Sequence, residues 1–118
     1  MRFLGYTLAN EAETPTEPPR PELYEEMGKF VEEAIKAGVI VATGGISPTS
    51  EGRKISLTDG KFTVVDGPFA EAKEVIGGYA LLEAPSRDAV VGLCRRFLSV
   101  AGGDATCEVH ELFTAPTP

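Results

Sequence analysis

The sequence predicts an α+β fold, and three observations carry that expectation. Two stretches space their apolar residues as amphipathic helices do, six short runs are rich in β-branched and aromatic residues, and each helical stretch joins one strand-like run to another. With 118 residues and 42% hydrophobic content, the chain is the size of one compact domain spanning 1–118. A chain of this size buries enough surface to fold without a disulfide or metal staple.

The first strand is expected over residues 2–9. A connector follows over 10–21, stiffened by Pro15, Pro18, Pro19 and Pro21, which favour extended geometry; it reads equally as a plain linker or as a lid over a neighbouring surface. Residues 22–37 place Leu23, Met27, Phe30, Val31, Ala34 and Ile35 on one helical stripe, and Gly38 supplies the stop. Glu25 with Lys29 and Glu32 with Lys36 stand at i, i+4 in the favourable order, which suits a solvated outer face.

Residues 39–43 are apolar on both alternating faces, as in a strand covered on both sides, with Gly44 and Gly45 expected to end it. Residues 47–52 read as loop. Asp59-Gly60 is the favoured two-residue type I′ turn between two β-rich runs. Counting outward from it pairs Leu57 with Phe62, Ile55 with Val64, Ser56 with Thr63, and Arg53 with Asp66. Residues 75–84 form a further strand, in which Gly77-Gly78 marks a bulge or the close approach of another backbone or a ligand. Ser86 caps a helix running to Ala101, with Val90, Leu93, Cys94, Phe97 and Leu98 facing inward and Gly102-Gly103 ending it. The last strand, 106–113, alternates Cys107, Val109, Glu111 and Phe113 with Thr106, Glu108, His110 and Leu112.

This order is that of a ferredoxin-like split βαβ with an inserted β-hairpin. Two helices cover only one face of such a sheet, yet the central strands are apolar on both. A two-fold homodimer, packed sheet to sheet, is the simplest cover for the second face.

A net charge of −7 disfavours nucleic acid and anionic membranes as partners. No run reaches membrane-spanning length, and the first apolar stretch is too short for a signal peptide. Cys94 and Cys107 both fall on apolar faces and read as free thiols, so a reducing cytoplasm is the expected location. His110 has no second histidine or cysteine on its face, so no metal site is expected, and no phosphate-binding or dinucleotide-binding loop implies a cofactor.

The candidate site is the run 66–74, Asp-Gly-Pro-Phe-Ala-Glu-Ala-Lys-Glu, whose charges must lie at the surface or line a polar cleft. Asp66, Gly67 and Pro68 have the chemistry of a turn: a carboxylate that accepts from nearby backbone, a residue free in φ, and a ring that presets φ. The functional alternative makes Asp66 a general base, Phe69 an apolar wall and Lys73 an anion contact, with Gly67, Pro68, Glu71 and Tyr79 completing the ligand-contacting set. His110 is the second catalytic candidate, since it titrates near neutrality and shares a strand face with Glu108; a plain polar strand residue is the blander reading.

Asp66-Gly67-Pro68-Phe69 with Glu71, Lys73 and Glu74, then Gly77-Gly78-Tyr79, the helix exit at Ala37-Gly38-Val39, and Glu108-Val109, resembles the YCII-related, DGPF-type family of bacterial proteins over nearly the whole chain. The resemblance implies a ferredoxin-like fold that dimerises into an α+β barrel around a cleft, often encoded near extracytoplasmic-function sigma factors. Some members of the wider superfamily are similar to small dehydrochlorinases with a His and Asp pair. This chain departs from them in carrying its single histidine in the last strand. The leading expectation is a small-molecule-binding homodimer with its cleft beside the motif and acid/base chemistry there. The alternative is a non-catalytic accessory module that docks another protein, such as a sigma factor.

Overall fold

The structure is a computed structural model that describes residues 1–9, 21–68, 75–102 and 105–113. The predicted connector, apart from Asn10 to Arg20 which lie outside these residues, resolves into a helix start: α1 spans Pro21–Lys36, one residue earlier at each end than the periodicity suggests. Proline is well suited to the first helical position because its missing N–H would have no intrahelical partner there. At the other end Gly38 takes a φ of 76°, Val39 N donates to Ala34 O, and Gly38 N donates to Ile35 O, so a Schellman cap ends the helix. Lys36 meets Glu32 at 3.0 Å on the outer face.

The strands are β1 (Arg2–Ala9), β2 (Ile40–Gly45), β3 (Arg53–Thr58), β4 (Lys61–Asp66), β5 (Val75–Glu83) and β6 (Thr106–Glu111). Four of them form an antiparallel sheet in the order β2-β5-β1-β6, the ferredoxin-like arrangement, while β3 and β4 form a separate two-stranded ribbon. Helix α2 (Arg87–Ala101) opens on Ser86, whose hydroxyl accepts from Ala89 N at 3.1 Å. Both helices lie on one face of the sheet. Phe3, Ala34, Ile40, Leu82, Ala84 and Val90 form the buried core between them.

The hairpin register agrees with the count outward from the turn, pair by pair, from Thr58 opposite Lys61 to Arg53 opposite Asp66. Asp59 and Gly60 take φ of 52° and 78°, as a type I′ turn requires. The glycine pair of β5 is a bulge: Thr7 faces Gly78 and Leu8 faces Ile76, leaving Gly77 over. One expectation is corrected. Gly44 and Gly45 do not stop β2 but continue it, pairing with Tyr79 and Gly78. The Tyr79 ring explains the choice of residue, since a Cβ at Gly44 would stand 3.1 Å from its Cε1.

Among the described residues no helix lies against the sheet's other face. Leu4, Leu8 and Leu81 are half-buried there, Val41, Ile76 and Tyr79 are exposed, and a shallow hollow is framed by Arg2, Val41, Leu81, Glu83 and Leu112. No described helix is long and apolar enough to cross a membrane.

Candidate functional site

On that open face the alternation of β1 and β6 sends Tyr6, Glu108 and His110 to the same side, and the strand register sets Tyr6 opposite Glu108 and Leu4 opposite His110. The Tyr6 hydroxyl donates to Glu108 Oε2 at 2.6 Å and lies 3.0 Å from His110 Nε2. The two rings stack, with centroids 5.7 Å apart. A phenol has one proton to give, and Glu108 receives it, so His110 must present Nε2–H to the phenol oxygen. The result is an ordered relay from imidazole through phenol to carboxylate, with Glu108 Oε2 also 3.6 Å from His110 Nε2.

The electrostatics follow from this geometry. The hydrogen bond to Glu108, helped by partial desolvation and by the carboxylate's charge, raises the Tyr6 phenol above its ordinary value of 10.0. Because the folded-state value exceeds the unfolded one, the contribution to stability is whole below pH 10.0 and is lost as pH climbs through the raised value. In a phenolate absorbance titration Tyr6 should ionise above its ordinary value of 10.0, and Glu108→Gln should bring it back down toward that value. A curve unchanged by that substitution would contradict the assignment. At the rim of the same face Arg2 reaches Glu83 at 2.8 Å, and that guanidinium, with the N-terminal ammonium, holds the Glu83 carboxyl below its ordinary range.

Asp66 stands elsewhere, at the base of the β3–β4 ribbon. Its carboxylate meets Arg53 Nε at 3.0 Å with most of its side chain in solvent, as the register count led one to expect of this pair. Gly67 follows at a point of backbone crossing: its N–H donates to Gly52 O at 3.0 Å, and a Cβ there would lie 1.5 Å from Thr49 O. The Gly67–Pro68 peptide is cis. The ion pair is a surface one, so Asp66→Asn should change unfolding free energy by less than about 1 kcal/mol. A larger loss in urea denaturation would give the carboxylate a greater architectural role than this geometry supports. Phe69, Glu71 and Lys73 lie outside the described residues. Tyr79 is on the open face, its ring over Gly44. Of the residues named from the sequence, the open face thus brings together His110 and Tyr79, while Asp66, Gly67 and Pro68 gather at the ribbon's base.

The sequence reading missed Tyr6. Glu108 was legible as a neighbour of His110 from its i, i+2 spacing, but Tyr6 is 102 residues away from Glu108 and joins it only through the β1–β6 register. No group of three or more His, Cys, Asp or Glu that could hold a metal occurs among the described residues.

Fold and face together define a ferredoxin-like α+β protein that carries a hydrogen-bonded Tyr-Glu-His group on an uncovered sheet surface. The chain belongs to the YCII-related domain family, whose pattern matches residues 1–111. It is also similar to an uncharacterized protein of Rhizobium meliloti (strain 1021), 28% identical over 78 residues. That match takes in 66% of this chain and 63% of the relative, so the chain spans less than two thirds of the length of the curated relative it matches.

Proposed function

We propose that the chain works as a two-fold homodimer, packed through the open sheet face, that holds a small organic molecule beside Tyr6, Glu108 and His110 and exchanges a proton with it. The observation that carries this reading is the relay itself. Three groups able to pass a proton stand within 3.6 Å of one another on a surface where an apolar cover would exclude water. Exposed, the group is screened by solvent. Enclosed by a second sheet, the same hydrogen bonds act in a lower dielectric, where a carboxylate and an imidazole become effective base and acid. The Asp66–Gly67–Pro68 segment takes the architectural share in this reading, fixing the base of the ribbon.

Native mass spectrometry of the freshly purified protein tests the proposal. A small molecule should travel with the wild-type assembly and be lost from Tyr6→Phe combined with His110→Ala, while the assembly mass stays the same. No retained molecule, and no thermal shift across a broad panel of small organic acids, ketones and phenols, would overturn it.

One observation favours a second reading, the docking of another protein. Ile55, Leu57, Phe62 and Val64 share one face of the ribbon and are all exposed, Phe62 at 75%. An isolated two-stranded ribbon is marginal in water, so this face gains from cover. A stoichiometric protein partner whose capture is lost in Phe62→Ser would support docking.

A further inference from the structure

We propose that the hollow between the helix pair and the sheet, on the opposite side of the sheet from the Tyr6 hydroxyl, Glu108 and His110, is a binding site for a neutral, largely apolar molecule of one or two fused rings. Its volume is about 260 Å³. An engineered apolar cavity of roughly 150 Å³ already takes up benzene, so this one has room for a bicyclic ring system. The hollow opens partly to solvent beside a core that is otherwise close-packed.

The lining says what kind of occupant fits. Phe30 from α1 and Leu93, Cys94 and Phe97 from α2 form the walls, Gly5 and Ala80 the floor. No described lining residue carries a charge, so a charged guest would lose its hydration with nothing to compensate it. The Phe30 and Phe97 rings stand 6.2 Å apart at 53°, a tilted pair that presents both a ring face and a ring edge to an aromatic guest. The floor is open by composition, since strand interiors ordinarily carry large side chains. At Gly5 a Cβ would meet Leu82 Cδ1 at 3.4 Å and Glu108 O and Val109 Cγ2 at 3.8 Å, all ordinary contacts, so the backbone does not demand glycine there. What the glycine preserves is space. Burial, reinforced by Cys107 nearby, pushes the Cys94 thiol up to about 12, which keeps this wall neutral at any physiological pH.

The test uses N-phenyl-1-naphthylamine as a neutral probe and 1-anilinonaphthalene-8-sulfonate as its anionic counterpart, on the full chain. The neutral probe should bind saturably with enhanced emission, more tightly than the anion, and should slow maleimide labelling of Cys94 several-fold in a Cys107→Ser background. Ala80→Leu fills the floor and should weaken the neutral probe at least about ten-fold. Gly5→Ala, which fits with ordinary contacts, gives a milder loss should the larger residue disturb folding. Failure of the neutral probe to saturate the wild-type chain, unprotected Cys94, or equal binding by both variants would overturn the proposal. So would a hollow that takes no probe while Ala80→Leu raises the melting temperature, the behaviour of a plain packing gap.

Discussion

Leu4→Asp should convert the assembly to protomers. Leu4 sits in the middle of the open face, between Leu81 on β5 and His110 on β6, half-buried by its own sheet and with no described helix above it. Within one protomer an aspartate there keeps access to water, so the cost is limited to strand propensity and lost side-chain contacts, about 1 kcal/mol. Across a sheet-to-sheet interface the same change places a carboxylate from each copy in a dry layer, where the neighbouring Arg2 and His110 are already engaged with Glu83 and Tyr6. An unpaired buried charge costs several kcal/mol, and about 4 kcal/mol already corresponds to a thousand-fold weaker association. Analytical ultracentrifugation over a dilution series should show the variant as a single small species, folded by circular dichroism. A variant that sediments as the wild type does would place the interface on another surface.

Gly67→Ala should be the most damaging single-methyl addition among the described residues. The end of β4 crosses the 3₁₀ turn Thr49–Glu51, and a Cβ at this glycine would fall 1.5 Å from Thr49 O and 2.6 Å from Thr49 C. Those are backbone atoms, which cannot swing aside as a flexible side chain can. Relief requires the two segments to separate, with loss of the hydrogen bond from Gly67 N to Gly52 O. Together the displaced packing and the broken bond should lower unfolding free energy by about 2–4 kcal/mol. Urea denaturation reads the total, and amide exchange shows whether the ribbon opens on its own. Exchange and stability equal to wild type would mean that the crossing is looser than its geometry implies.

The contrast between these two positions shows what a single sequence can reveal. Gly67 belongs to a motif legible in the linear text, and the Asp59–Gly60 turn fixes its register because hairpin pairing is local: Arg53 opposite Asp66 follows by counting. Both helices were legible for the same reason, through a repeating apolar stripe, a serine cap at Ser86 and a glycine stop at Gly38. Gly77 announced its bulge by having no side chain to pack. Long-range register has no such local signal. Nothing near Tyr6 says that its hydroxyl will meet Glu108 and His110, because that meeting is decided by how β1 and β6 slide past each other in the folded sheet. Gly44 and Gly45 misled in the other direction. Glycine pairs usually end strands, but at Gly44 an aromatic ring from the neighbouring strand occupies the space a side chain would need. The sequence motif at 66–68 therefore drew attention to the ribbon's base, whereas the hydrogen-bonded acid–base group stands on the sheet.

An apolar surface shielded by a second copy of the chain is the premise on which the enclosed relay depends. Multi-angle light scattering on the eluting wild-type protein at micromolar concentration measures it directly. A molar mass twice that of the 12.5 kDa chain is expected. A single 12.5 kDa species that stays folded under those conditions would leave Tyr6, Glu108 and His110 open to water and would contradict the proposal.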